Sequence, residues 1–157
     1  MDLESLYQEI ILDHYKHPRG RHSIDAPLAS VYHVNPTCGD EVTVQVAVDD
    51  DGVLVLGYEG QGCSISQASA SVMSELMAGL TPAQAEPIRA AFVEMMHAKG
   101  TGTPDEDVLG DAVAFAGVAK YPARIKCALL AWMALRDAEV QAGIAPEASE
   151  DSEKGTR

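Results

Sequence analysis

Hydrophobic positions change their period several times along the chain, and each change predicts an element. Leu6, Tyr7, Ile10, Ile11 and His14 recur at three- and four-residue spacing, which predicts an N-terminal helix that stops before Pro18 and Gly20. Val31 to Val34 predicts a short strand closed by Asn35-Pro36, because proline has no amide proton and restricts the residue before it. Val42, Val44, Val46 and Val48 alternate with Glu41, Thr43, Gln45 and Ala47, the period of a strand with one face on a core. Asp49-Asp50-Asp51-Gly52 turns the chain into Val53-Leu54-Val55-Leu56, which completes an antiparallel hairpin.

After Gly57 and Gly60 the pattern becomes helical. Ser66 is the expected cap there, and Ala68 to Met77 are good helix formers. Thr81-Pro82-Ala83-Gln84 carries a capping threonine, a proline at the first helical position and a glutamine three residues on, so a further helix should run to about His97. Lys99 to Pro104 reads as a loop, and Leu109 to Val118 as a short helix. Pro122 opens a last helix through Ala142, with Gly143 as its stop. From Ile144 onward small, acidic and polar residues cannot bury enough apolar surface to order themselves. The expected architecture is therefore α+β: a small antiparallel three-stranded sheet packed against several helices in a single domain over residues 1–143, followed by a disordered acidic tail over 144–157.

Composition narrows the function. With 157 residues and 46% apolar content the chain can bury one core. It shows neither a cationic start followed by an apolar run nor an apolar stretch near the roughly 20 residues that cross a bilayer, so a soluble, cytoplasmic protein is expected. A formal charge of -13 repels phosphates and anionic lipid, so nucleic acid and membrane surfaces are not expected partners. Three cysteines leave one unpaired if disulfides form, and a reducing compartment leaves them as free thiols or metal ligands.

The cysteines fall at element ends. Cys38-Gly39-Asp40 sits in a turn between two strands, which presents a thiol and a carboxylate together. Cys63 follows Gly60-Gln61-Gly62 at the exit of the next strand. In an antiparallel pair that exit lies beside the entrance of its neighbour, so Cys63 returns to Cys38. Cys127 lies near the start of the last helix, whose early turns would have to cover the same sheet edge; spacing alone does not fix that contact. Three thiolates and a carboxylate suit tetrahedral zinc, and sulfur-rich sites also suit iron-sulfur clusters. A lone cysteine is more often a small buried hydrophobe, and a lone aspartate a turn residue, so the constellation carries the expectation. His14, His17, His22, His33 and His97 lie near helix ends, loops or strand margins and are not expected to bind metal, His33 being nearest to Cys38. The methionines and Trp132 read as core. Arg124 lies three residues before Cys127 on the same helix side, where its charge could steady a thiolate or persulfide or simply be solvated.

The segments Leu6-Tyr7, Ile10-Ile11-Leu12-Asp13-His14-Tyr15 and Pro18-Arg19 resemble the start of the SufU/IscU family of iron-sulfur assembly proteins. Asn35-Pro36-Thr37-Cys38-Gly39-Asp40, Gly60-Gln61-Gly62-Cys63-Ser64-Ile65-Ser66 and Tyr121-Pro122-Ala123-Arg124-Ile125-Lys126-Cys127 match its three cysteine segments in order. Scaffold-type members carry a histidine just before the third cysteine, whereas Lys126 stands here, as in the SufU branch. The segment between Cys63 and Cys127 also resembles that branch in its length. The resemblance implies a SufU/IscU-like fold and a zinc-dependent sulfurtransferase served by a SufS-type cysteine desulfurase. It further implies that Cys38 is the sulfur acceptor, that Cys38, Asp40, Cys63 and Cys127 hold the metal, and that downstream iron-sulfur assembly proteins receive the cargo. The alternative within the family is a scaffold holding a transient two-iron cluster; outside it, a structural zinc site.

Overall fold

The alternating valines of the middle strand decide where the core lies. In the computed structural model, which describes residues 2–146, Val42, Val44 and Val46 are buried on one face of β2 (Asp40–Val48). Burying each such side chain stabilises the fold by about 1.5–3 kcal/mol. β2 pairs antiparallel with β1 (Ala29–Asn35) on one side and β3 (Leu54–Gln61) on the other, giving the sheet order β1-β2-β3. The registers Asn35 with Asp40 and Glu41 with Gln61 bring three strand ends to one edge.

Helices cover the valine face. α5 (Pro122–Ala142) lies against β1 and β2, α2 (Ser64–Met77) packs on α5, and α1 (Leu3–Lys16) packs on α2. α3 (Pro82–His97) starts with the expected capping box, in which Gln84 N–H donates to Thr81 Oγ1 at 3.1 Å and Thr81 N–H donates to Gln84 Oε1 at 3.0 Å. Its Phe92 stacks on Trp132 of α5 with ring centroids 4.1 Å apart. Among the described residues no helix is long and apolar enough to cross a membrane.

Several boundaries differ from expectation for local reasons. β1 and β2 begin at Ala29 and Asp40, earlier than their valine runs, because ladder pairing continues through the polar flanks. β3 runs through Gly57 and Gly60 instead of ending at Leu56. A Cβ on Gly57 would lie 2.3 Å from the carbonyl oxygen of His22, so that glycine lets a neighbouring segment lie against the strand. Cys63, not Ser66, is the N-cap of α2, and Ser66 Oγ donates back to Cys63 O from inside the first turn. The expected helix over 109–118 is a short α4 (Glu106–Leu109) followed by a 3₁₀ turn over Gly110–Ala116. α5 ends at Ala142 with Gly143 in the left-handed conformation, and of the expected tail, residues 147–157 lie outside the described residues.

Candidate metal centre

The site is built where the β1–β2 turn, the β3–α2 junction and the start of α5 meet. In the turn, Gly39 N–H donates to Asn35 O at 2.8 Å, and Thr37 N–H donates to Asn35 Oδ1 at 3.2 Å. This fold presents Cys38 outward and sends Asp40, the first residue of β2, fully inward. Across the sheet, Cys63 N–H donates to Asp40 Oδ1 at 2.8 Å, and the Cys63 thiol lies 3.6 Å from Asp40 Oδ2. Gly62 makes that approach possible: its φ is +148°, and a Cβ there would fall 2.2 Å from Asp40 Oδ1.

α5 supplies the last sulfur. Cys127 Sγ is 3.3 Å from Cys38 Sγ and 3.7 Å from the carbonyl oxygen of Ala123 one turn back. Ligand atoms of Cys38, Asp40 and Cys127 lie within 4.8 Å of one another. Cys63, expected beside Cys38, lies outside that mutual group and is held instead at Asp40, its thiol 3.6 Å from Oδ2. Burial, then hydrogen bonds to Asp40 and Cys38 and the nearby charges of Cys63 and Asp40, push the Cys127 thiol well up from its ordinary value. A divalent cation reverses that preference, because its charge holds coordinated sulfur as thiolate. Two thiols and one carboxylate stand together here, and with the Cys63 thiol beside Asp40 they would make up a donor set of the kind zinc takes.

The remaining candidates fall elsewhere. Arg124 is exposed and lines an apolar groove of about 510 Å³ with Tyr7, Ile11, Ile65 and Tyr121, beside Ser64, which follows Cys63. It lies outside the tight cluster. His33 is engaged by Asp137, with Nε2 to Oδ2 at 2.7 Å. His14 is fully buried, not marginal: Nδ1 meets Ser71 Oγ at 2.8 Å, and Nε2 lies 3.0 Å from Asp111 and 3.5 Å from Glu75. Arg19 pairs with Glu75 and Asp13, so this second cluster balances part of its own charge while tying α1 to α2.

Sequence reasoning treated Asn35 as a strand stop and missed its contact with the site. Its Nδ2 donates to Cys38 Sγ at 3.1 Å, and the residue is 7% exposed. An asparagine three positions before a turn cysteine was the available signal, since asparagine folds its side chain onto nearby backbone amides.

Residues 6–128 match the family described as NifU-like N terminal domain. The chain is 42% identical over 134 residues to the zinc-dependent sulfurtransferase SufU of Bacillus subtilis strain 168, covering 85% of this chain and 89% of that protein. It is 39% identical over 136 residues to the iron-sulfur cluster assembly scaffold protein IscU of Streptococcus pyogenes serotype M1, covering 87% and 84%. Among solved structures, the N-terminal part of a NifU-like protein from Brucella abortus superposes with a TM-score of 0.78 at 27% identity, covering 90% of this chain and 96% of that one.

Proposed function

The chain belongs to the NifU-like N-terminal domain family, which includes the SufU and IscU iron-sulfur assembly proteins, and from that premise we propose that it is a zinc-dependent sulfur acceptor and carrier. A SufS-type cysteine desulfurase is the donor, downstream iron-sulfur assembly proteins are the recipients, and a reducing cytoplasm suits the three free cysteines. The observation that carries the reading is the graded exposure of the sulfurs: Cys38 is exposed, Cys63 half-buried and Cys127 fully buried beside a fully buried Asp40.

Zinc, when bound by Cys38, Asp40, Cys63 and Cys127, would supply thiolates at neutral pH. The Cys38 thiolate is the one a partner's active site can reach. It attacks the terminal sulfur of the desulfurase cysteine persulfide; the sulfur-sulfur bond of the donor breaks, the desulfurase cysteine leaves as thiolate, and Cys38 carries the persulfide. Cys63 and Cys127, anchored at the start of α2 and in α5, hold their positions while the turn that bears Cys38 moves. Arg124, at the groove beside α2, offers a positive charge to the transferred sulfur.

The second reading, a two-iron scaffold, draws on the 39% identity to a protein of that name. Lys126 counts against it: the residue lines a cleft with Asn35, Pro36 and Thr37 beside the Cys38 turn, and a lysine ammonium has no lone pair for iron. Mixing the protein with cysteine and a cognate desulfurase should add one sulfur atom to the intact mass of the wild type and none to Cys38→Ala. Equal loading of both removes Cys38 as acceptor, and iron in place of zinc in the purified protein favours the scaffold.

A further inference from the structure

The buried Asn35 amide is held with one end on backbone and the other on sulfur. Its Oδ1 accepts the Thr37 N–H, a group that can only donate, which fixes the amide orientation and turns Nδ2 toward Cys38. The amide nitrogen can in turn only donate, so the Cys38 sulfur is the acceptor in this 3.1 Å contact. Gly39 N–H closes the turn onto the Asn35 carbonyl at 2.8 Å, and β-pairing with Asp40 fixes the Asn35 backbone. A donor so constrained does not follow the sulfur; the sulfur must come to it. Its strongest partner is an anionic sulfur, since hydrogen bonds to charged acceptors exceed those to neutral ones.

We propose that Asn35 is a positioning residue for sulfur transfer, its Nδ2–H group holding the Cys38 thiolate in place when that sulfur is free of metal and about to take up the transferred sulfur. This rests on the reading of Cys38 as acceptor. While Cys127 is set by the backbone of α5 and Cys63 by its place as the N-cap of α2, Cys38 sits in a turn whose movement would otherwise leave its sulfur with no fixed direction. Asn35 supplies that direction from the rigid end of β1. Were Cys38 bound to a metal, the same contact would withdraw electron density from its thiolate and lower its donor strength.

Two substitutions separate holding the sulfur from shaping the turn. Asn35→Asp keeps an acceptor for Thr37 N–H, and aspartate supports this turn well, but it presents oxygen where the sulfur needs a donor. Asn35→Ser also accepts from Thr37 N–H, is uncharged, and is too short to reach Cys38. With cobalt(II) in place of zinc, the sulfur-to-cobalt charge-transfer band should move to lower energy in both variants, because the thiolate loses its hydrogen bond. Sulfur loading by a desulfurase, followed by intact mass at equal metal content, should slow about tenfold or more in both, with the KM for the desulfurase unchanged.

Wild-type loading rates with an unshifted cobalt band in either variant would overturn the proposal and leave Asn35 a turn former. If Asn35→Asp binds too little metal to compare, Asn35→Ser decides alone. If the wild type takes up no sulfur, the acceptor reading falls, and with it the transfer role of Asn35; the cobalt band still reports separately whether the hydrogen bond to sulfur exists.

Discussion

Two buried acids, both fully enclosed, have opposite surroundings. Glu139 of α5 meets the Arg89 guanidinium of α3, which also engages Glu86, and Arg89 itself is 3% exposed. Asp40 meets the backbone N–H of Cys63 and a set of thiols, while the ion pairs among the described residues lie elsewhere. The first acid has a cation from its own chain and locks α3 onto α5. Among the described residues the second has none, and a buried carboxylate without a counter-charge is costly to keep. At the fixed joint the fold supplies both charges; at Asp40 it supplies the negative half, which a bound cation would complete.

Breaking the closed cluster should produce the largest effect. Arg89→Ala leaves Glu139 buried and unpaired, which costs about 3–5 kcal/mol. Urea unfolding of metal-loaded protein should record that loss, and replacing both partners, as Arg89→Met with Glu139→Leu, should recover most of it. A small loss in the single variant would mean that water reaches Glu139 freely. On the other side of the comparison, Gly62→Ala leaves every metal ligand in place but puts a methyl group 2.2 Å from Asp40 Oδ1 at a φ of +148°. Strain of this kind costs about 1–3 kcal/mol, so zinc affinity measured against a chromogenic chelator should fall about tenfold or more. Unchanged affinity would separate the carboxylate from the metal.

The two clusters also differ in how far the sequence revealed them. Valine alternation located β2 and brought Cys63 back to the Cys38–Asp40 turn, because strand pairing turns sequence spacing into distance, but the residue it meets there is Asp40 and not the expected Cys38. The capping box at Thr81 and the glycine stop at Gly143 were legible for the same reason: they are local chemistry. Cys127 could be drawn into the site through the family pattern, while its 3.3 Å approach to Cys38 depends on how α5 lies across the sheet. Arg89 and Glu139 gave no signal, since they stand 50 positions apart and each resembles an ordinary helix-surface charge. His14 shows the same limit: its helical spacing put it on the apolar stripe of α1, of which it alone is buried, but its partners Ser71 and Asp111 are 57 and 97 positions away. Gly57 and Gly60 read as a strand end because the segment that needs the missing side chain at Gly57 is distant in sequence.

The smallest effect tests whether the closed cluster is fully balanced. Arg89 Nε and Glu139 Oε1 are buried without a hydrogen-bond partner among the described residues, so the pairing leaves polar atoms unmatched. Burial accordingly lifts the Glu139 carboxyl above its ordinary value of 4.5, outweighing the pull of Arg89, with the charge of Glu86 adding to the rise. A carboxyl raised in the folded state binds protons more tightly there than in the unfolded chain. Its contribution to stability is therefore full below the unfolded value and is lost as pH rises through the folded one. The stability of the wild type relative to Glu139→Gln should decline as pH climbs past 4.5 and then level off, read from urea midpoints at a series of pH values. The decline should steepen in Arg89→Ala, where the opposing pull is gone. A wild type that instead gains on Glu139→Gln as pH rises would show that Arg89 more than offsets the burial of its partner.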